Sequence, residues 1–233
     1  MKVTCHSLHW NNVDKVIISS QRQVFNHFNI DLIQHNDHGK EHGIWMEEVI
    51  NDSNEEIIVF ADIDAFPLNL EAFKEGIIKA ENGIIYGLAQ HSNLSVKNDM
   101  YAGPMFLFLK KDLYEKLGAP SLSPKGNFDA AEIISVKARE LDVPIELIYP
   151  STCLKPKWAL KDKTVFGIGT FYENKFFHLF ESRNKTSVRL FKTIADDIIR
   201  GNSFDFSEYL KIVNHESKIT RLKNLLRHIK NRL

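Results

Sequence analysis

Short apolar runs alternate with amphipathic segments along the first half of the chain. Segments that predict strands occur at 2–8, 30–33, 57–60, 84–88 and 105–109, and those at 57–60 and 105–109 are continuously apolar, as is typical of buried strands. Apolar residues at helical spacing occupy the segments between several of them, at 13–28, 45–50 and 69–81. This alternation predicts an α/β fold in which helices flank a mostly parallel sheet of the nucleotide-binding type.

The second half of the chain has a less regular pattern. It predicts helices at 111–117 and 128–141, strands at 145–149 and 175–180, and two further helices at 185–200 and 203–213. The glycines of Gly167-Ile168-Gly169 predict a flexible loop before the last strand. We therefore divide the chain into a domain at 1–183 and a helical appendage at 184–233.

Composition limits the class of protein. The 233 residues are 43% hydrophobic and include 16 phenylalanines, which is enough for a sizeable core. Lys+Arg and Asp+Glu both total 30, so the charge balance predicts no nucleic-acid partner. Cys5 and Cys153 are too few for a disulfide framework or a zinc ribbon. No apolar run has the length of a signal-peptide core or a membrane span, and we expect a cytoplasmic protein.

Two carboxylates follow the most apolar of the predicted strands. Asp62 and Asp64 come directly after the run at 57–60, and Pro67 prevents the strand from continuing. Ligands of open α/β sheets bind at the carboxyl ends of the strands. Because two adjacent carboxylates are costly without a cation, this pattern predicts a divalent metal that holds a phosphate group. The alternative is a solvated turn in which both residues cap the helix that starts near Asn69.

Further motifs follow Asp62 and Asp64 in a characteristic order. They are Tyr101-Ala102-Gly103-Pro104-Met105, Phe128-Asp129-Ala130-Ala131-Glu132 and Phe177-His178-Leu179-Phe180. Taken with Ala61-Asp62-Ile63-Asp64, this series resembles the GT-A fold glycosyltransferases, most closely their retaining, glycogenin- or galactosyltransferase-like group. The resemblance covers residues 1–183. It departs from the family at Tyr101, where the family has Asn, at Ala130, where it has Gln, and after His178, where it has Gly and Lys-Pro. Retention and inversion of the sugar linkage both stay open.

The resemblance implies roles for these residues. Asp62 would contact the ribose or the metal, and Asp64 and His178 would bind Mn²⁺ or Mg²⁺ against the diphosphate. Arg183 or Lys185 would add positive charge as the diphosphate leaves, and Gly103 would let the donor sugar approach the backbone. Asp129 would act as general base or bind sugar hydroxyls, with Glu132 on the same helix face.

Each of these motif residues also has a structural alternative. His178 could be a core histidine, and Gly103 could belong to a plain turn. Asp129 could be an acid placed at a helix N-terminus by the macrodipole.

The ends of the first two strands predict the nucleotide pocket. The segment from Ser7 to Trp10 is expected to contact the base and ribose, and His42, near Trp45, is expected to line the same pocket. The histidines at 35, 38 and 42 also permit a zinc site, but their spacing without cysteine is unspecific.

The last 17 residues have a separate pattern. Six basic residues and no acid occur between Ser217 and Leu233, and the apolar residues of this segment fall on one helical face. Such a basic amphipathic helix favours peripheral contact with an anionic membrane surface. The alternative is a helix that packs on this domain or on a second copy in a homo-oligomer.

Together these features predict a metal-dependent glycosyltransferase for glycan or polysaccharide assembly. The predicted donor is a nucleoside-diphosphate sugar, with a UDP-sugar favoured, and the predicted acceptor is a glycan or lipid-linked hydroxyl. A phosphatase of the haloacid-dehalogenase type is an alternative, although two strand–helix units precede Asp62 and the later pair Asp196-Asp197 lies in a helical pattern. A non-catalytic nucleotide-sugar-binding protein is the other alternative.

Overall fold

A computed structural model describes residues 3–91, 99–124 and 128–215. The basic segment predicted at 217–233 lies outside these ranges. In the described part of the chain, none of the helices has the length and apolar character needed to cross a membrane.

Strands and helices alternate as the apolar pattern predicts, and additional short strands follow. The strands are β1 (Thr4–His9), β2 (Asp31–Asn36), β3 (Ile57–Ala61), β4 (Ala65–Pro67), β5 (Ile85–His91), β6 (Met100–Lys110), β7 (Ile145–Ile148), β8 (Pro150–Cys153), β9 (Pro156–Ala159), β10 (Val165–Gly167), β11 (Gly169–Tyr172) and β12 (Phe176–Leu179). The helices are α1 (Lys15–His27), α2 (His42–Asp52), α3 (Leu70–Glu81), α4 (Lys111–Lys116), α5 (Glu132–Glu140), α6 (Lys185–Arg200) and α7 (Phe206–Asn214).

The central sheet has the strand order β2-β1-β3-β6-β5-β7. β1 is parallel to β2 and β3, and β5 is parallel to β7, whereas β6 runs antiparallel to both of its neighbours. The prediction of a mostly parallel sheet flanked by helices is therefore confirmed. All five residues of β3 are buried because both faces of the sheet are covered.

The two faces of β3 contact different helices. Ile57, Val59 and Ala61 belong to a core shared with α1, α3 and α6, whereas Ile58 and Phe60 pack with α2, α4 and α5. This alternation follows from the period of two along a strand. It leaves the carboxyl end of β3 between the two helical layers, which is where Asp62 follows.

A second, antiparallel sheet with the order β4-β12-β11-β8 lies at that end. Its aromatic side chains, such as Phe66 and Phe177, are fully buried against Phe191 of α6. Helix α6, which the sequence places in an appendage, thus shares its core with the preceding residues. Gly167 and Gly169 are buried strand residues rather than part of a flexible loop.

The helix predicted at 128–141 begins later, at Glu132. Ala131 precedes it with φ 60°, a left-handed conformation that prevents the helix from extending toward Phe128. Asp129 therefore lies in the turn before the helix and not in its first turn.

Candidate functional site

Asp62 and Asp64 lie in a rigid turn between β3 and β4. The backbone N–H of Ala65 donates to the carbonyl of Asp62 at 3.0 Å, which closes the turn. The fully buried Gln21 of α1 donates its side-chain N–H groups to the carbonyls of Asp62, at 2.8 Å, and Ala65, at 2.9 Å. These bonds position both carboxylates in front of the second sheet.

His178 faces the two carboxylates from the neighbouring strand. β12 pairs with β4 so that His178 is opposite Ala65. The Nε2 atom of His178 lies 3.4 Å from Asp62 Oδ2 and 3.4 Å from Asp64 Oδ1. One potential ligand atom from each of the three residues lies within 4.8 Å of the others. The structure thus brings together residues that are far apart in sequence.

The pKa values of His178 and Asp62 depend on the charged groups beside them. Burial alone lowers the pKa of the His178 imidazole, but hydrogen bonds and attraction from Asp62 and Asp64 outweigh it and raise this pKa to about 9. Burial alone raises the pKa of Asp62, whereas His178 and His42 hold it below its ordinary value. A cation between the two carboxylates therefore stabilises the group, and in the protein alone the imidazolium supplies it.

The donor set suits a divalent metal ion. Two carboxylates and one imidazole offer oxygen and nitrogen ligands, which suit Mn²⁺, Mg²⁺ or a related ion. Neighbouring ligands of an octahedral ion with bonds of about 2.1 Å lie about 3 Å apart, close to the 3.4 Å from His178 Nε2 to each of the two carboxylates. Because three ligands converge in the described part of the chain, such an ion would keep open positions for oxygen atoms of a bound molecule.

A cleft of 660 Å³ opens beside this group. Its lining residues come from the end of β1, the turn after β3 and the segment before α6: Leu8, His9, Trp10, Asn12, Val13, His42, Asp62, Ile63, Asp64, Glu181, Ser182, Arg183 and Asn184. Asn184 caps α6, accepting a hydrogen bond from the backbone N–H of Thr186. The N-terminus of a 16-residue helix and the Arg183 guanidinium therefore border the same cleft as the two carboxylates.

Trp10 and His42, both predicted from the sequence, line the cleft. The Nε2 atom of His42 lies 3.7 Å from Asp62 Oδ1, and its ring lies 5.2 Å from the Trp45 ring. Ser7 is not part of the cleft. Its side chain is fully buried and its Oγ has no hydrogen-bond partner within the part of the chain that the structure describes.

Gly103 also lies away from the residues that line the cleft. It sits in β6 opposite Leu88, and a Cβ atom there would come within 2.8 Å of Met105 Cε and 3.1 Å of Gln90 Cβ. A side chain at this position would therefore clash with its neighbours. The structure thus provides a packing reason for glycine.

Asp129 and Glu132 are not among the residues that line the cleft. Burial, followed by the charges of Asp129, Glu132 and Asp62, raises the pKa of Tyr101 far above its ordinary value, and the Tyr101 hydroxyl is hydrogen-bonded to Asp129. Glu132 is buried and accepts a hydrogen bond from the Asp129 backbone N–H at 2.8 Å. Glu132 therefore holds the turn in which Asp129 lies, next to Tyr101.

The histidines at 35, 38 and 42 do not converge. His42 lines the main cleft, His38 packs edge-on against Trp10, and His35 lines a separate cavity of 430 Å³. In that cavity His35 Nε2 lies 3.1 Å from His6 Nδ1. Among the residues that the structure describes, Asp62, Asp64 and His178 form the one group of three suited to a metal.

Several residues of the cleft were not singled out from the sequence. Asn12 belongs to the polar turn after β1, and Glu181 and Ser182 directly follow β12. The rule that ligands of open parallel sheets bind beyond the carboxyl ends of the strands would have identified Asn12, whereas Glu181 and Ser182 follow a strand of the antiparallel sheet. Glu181 also has φ 57°, an unfavourable conformation for a residue with a Cβ atom.

No protein-family model matches the chain, and no curated protein matches it in sequence. Similar solved structures include a mannosyltransferase, PcManGT, from Pyrobaculum calidifontis in complex with GDP-Man and Mn²⁺. It is 10% identical, with a TM-score of 0.49, over 91% of this chain and 68% of that one.

Another similar structure is a glycosyltransferase involved in glycosylation of the major capsid of PBCV-1, at 11% identity and TM-score 0.43, over 72% and 94% of the two chains. A third is a CMP:2-keto-3-deoxy-manno-octonic acid synthetase complexed with CTP, at 8% identity and TM-score 0.36, over 64% and 90%. All three scores are below 0.5, and the function proposed below rests on the geometry of the cleft.

Proposed function

We propose that this protein is a metal-dependent glycosyltransferase that moves a sugar from a nucleoside-diphosphate donor to a hydroxyl acceptor. The observation that supports this most directly is the convergence of Asp62, Asp64 and His178 within 4.8 Å at one side of a 660 Å³ cleft. Two carboxylates and an imidazole would hold Mn²⁺ or Mg²⁺. That ion, when bound, supplies Lewis-acid stabilisation to the leaving diphosphate.

The far side of the cleft suits the same diphosphate. The Arg183 guanidinium can bind two phosphate oxygens at once, and the free N–H groups at the start of α6 favour negative charge. The phosphates would then lie between a metal held by the carboxylates and the positive end of a helix. As the sugar bond breaks, Arg183 and the N-terminus of α6 would stabilise the charge that develops on the leaving group.

The remaining lining residues suit the nucleoside. Trp10 offers an aromatic face for a base, and His9, Asn12 and His42 offer polar groups for base and ribose. A UDP-sugar is the first donor to test. Asp129, presented next to the Tyr101 hydroxyl, is the proposed general base or sugar-hydroxyl contact, and a glycan or lipid-linked hydroxyl is the proposed acceptor.

The test is a thermal-shift and calorimetric screen of UDP-, GDP-, CMP- and dTDP-sugars, with and without Mn²⁺. We expect one nucleotide class to stabilise the protein only when Mn²⁺ is present. Asp64→Ala should abolish this effect. Asp196→Ala is the matched control because Asp196 pairs with Lys192 on α6 and does not line the cleft.

The alternatives predict different outcomes. A phosphatase would hydrolyse phosphomonoesters and form a trappable aspartyl phosphate at Asp62. A non-catalytic binder would retain the metal-dependent donor complex without transfer to any hydroxyl, including water. No stabilisation by any nucleotide sugar, or a full response from Asp64→Ala, would contradict the proposal.

A further inference from the structure

The β9–β10 hairpin places a partly exposed tryptophan outside the cleft. Trp158 pairs with Phe166 across the hairpin and is 41% exposed, whereas Leu160 and Phe166 are buried. The Trp158 ring packs on Phe166 at 5.5 Å and on Phe180 at 5.4 Å between centroids. The ring is therefore supported by aromatic side chains and still presents a large part of its surface to solvent.

Contacts from the hairpin lead directly to the metal-binding group. The Phe180 ring packs on Trp158 and also lies 4.2 Å from the His178 ring, so one side chain separates Trp158 from a proposed metal ligand. The neighbouring Lys157 forms a hydrogen-bonded ion pair with Glu181, which lines the cleft. Trp158 is thus held at the rim of the cleft, on the side of His178.

The surroundings of the exposed ring are polar. The Lys157 ammonium lies 5.6 Å from the Trp158 ring centroid, and the Glu181 carboxylate is bonded to that ammonium. A flat apolar surface bordered by charged hydrogen-bonding groups matches a molecule with one apolar face and a polar edge. A pyranose ring has this character, because its C–H groups form a face and its hydroxyl groups lie around the edge.

We propose that Trp158 is the platform on which the sugar ring of a saccharide acceptor stacks. This inference rests on the proposed function, in which an acceptor hydroxyl must reach the donor sugar beside the metal. It narrows the acceptor class to pyranose saccharides, with Lys157 and Glu181 contacting the hydroxyl groups. The stacked ring would enter from the side of His178, opposite the nucleoside contacts near Trp10.

Three tryptophans in separate places make a direct experiment possible. Trp10 lines the cleft, Trp45 lines the second cavity and Trp158 lies on the hairpin. The protein would be labelled with 5-fluorotryptophan, and its three ¹⁹F signals assigned by single Trp→Phe variants. One titration uses UDP, GDP, CDP or dTDP with Mg²⁺, which is diamagnetic and does not broaden the ¹⁹F signals as Mn²⁺ does. The other uses methyl glycosides and disaccharides of glucose, galactose and mannose.

We expect the nucleoside diphosphate with Mg²⁺ to shift the Trp10 signal, and at least one saccharide to shift the Trp158 signal without moving Trp45. Trp158→Leu keeps an apolar contact with Phe166 and Phe180 but removes the flat ring. It should weaken saccharide binding by at least about tenfold and leave nucleotide affinity unchanged. Val165→Ala is the control, since Val165 is 45% exposed on the same hairpin.

Three results would contradict the proposal that a saccharide stacks on Trp158. No saccharide would shift the Trp158 signal, or saccharides would shift the Trp10 signal instead. In the third, Trp158→Leu would bind saccharides as tightly as the unmodified protein. Circular dichroism of the Leu variant, and Trp158→Phe as a milder change, separate loss of binding from loss of folding. If saccharides shift Trp158 while no nucleotide with Mg²⁺ shifts Trp10, the proposed donor site fails and the saccharide platform stands.

Discussion

The main cleft and the cavity beside His6 contain the same kinds of side chain but hold their imidazoles in opposite charge states. In the cleft, His178 lies 3.4 Å from two carboxylates, and its pKa is raised to about 9. In the cavity, burial first and then the neighbouring His35 lower the pKa of His6 to about 4, against a smaller opposing effect of Glu55. Both histidines are buried, so burial alone does not decide the outcome.

The difference lies in which groups the carboxylates of each region contact. Glu55 also lines the cavity, but its two carboxylate oxygens accept hydrogen bonds from the backbone N–H and the hydroxyl of Thr4, at 2.7 and 2.6 Å. Glu48 pairs with Lys40 at 2.6 Å. Glu55 and Glu48 are therefore engaged elsewhere, whereas Asp62 and Asp64 converge on His178. Convergence of acids on one imidazole, more than the presence of histidines, marks a metal site.

The largest expected effect comes from removing a carboxylate of the cleft. Asp64→Ala should weaken Mn²⁺ binding by more than about 1,000-fold, about 4 kcal/mol, because loss of a ligand exceeds the cost of losing an outer-shell partner. Calorimetry or the electron paramagnetic resonance of free Mn²⁺ would measure the change. Asp52→Ala, in the lining of the other cavity, is the control and should bind Mn²⁺ normally. Equal losses in both variants would remove the distinction between the two regions.

The next largest effect is a loss of protein stability at acid pH, which we expect from His6 in the cavity. His6 stays neutral in the folded protein down to about pH 4 but takes a proton near pH 6.5 when unfolded. Since the unfolded state binds more protons in this window, stability is lost as the pH falls from 6.5 to 4, by up to about 3 kcal/mol.

Urea unfolding of the unmodified protein and of His6→Gln across this range measures the contribution. The variant should lose less stability on acidification. The groups around His6 are His35 on β2, Glu55 before β3, and Glu48 and Asp52 on α2, and all are present in both proteins. Parallel pH curves for the two proteins would contradict the assignment.

A smaller effect is expected from replacing the imidazole of the cleft. His178→Gln retains an oxygen ligand, so Mn²⁺ affinity should fall by about 10- to 100-fold rather than vanish. The same calorimetry, with His35→Gln as the matched imidazole change in the other cavity, tests whether the loss is specific. Unchanged affinity in His178→Gln would place the metal on the carboxylates alone.

The smallest effect is structural. His35→Ala removes the partner 3.1 Å from His6 Nδ1 and should cost about 1 kcal/mol of unfolding free energy without changing Mn²⁺ affinity. The shift of the urea midpoint measures the first quantity and calorimetry the second. A loss of metal affinity in this variant would mean that the two regions are coupled.

The central sheet could be predicted because strand-like segments, continuously apolar at 57–60 and 105–109, alternate with amphipathic helices. The second sheet could not, since β4 has three residues, β8 begins with proline, and the pairings of β4 with β12 and of β8 with β11 join segments that do not follow each other in the sequence. Short strands carry no periodic signal of their own and are stabilised by the aromatic core that they enclose. Helix α5 starts later than predicted because Ala131 has a left-handed conformation, and an alanine in the sequence does not indicate such a conformation.

The candidate site was likewise predicted only in part. The residues Asp62, Asp64 and His178 were predicted, because acids after a buried strand and a histidine on an aromatic strand stand out. Their convergence, however, depends on the pairing of β4 with β12. Ser7 was expected in the cleft because it lies near the end of a strand, but its side chain is fully buried and does not line the cleft. The sequence did not identify Trp158 as a candidate binding residue, because a tryptophan in a segment with a weak strand pattern cannot be distinguished from a loop residue.

Because Ala65 of β4 pairs with His178 of β12, the three proposed metal ligands can come together only after His178 has been synthesised. The ribosome synthesises both aspartates first, whereas His178 and the strand that carries it follow more than 100 residues later. A nascent or truncated chain that ends before Phe176 has the carboxylates but neither the imidazole nor the partner strand of their turn. During synthesis, a complete set of ligands is therefore presented only by a chain whose two sheets have already joined.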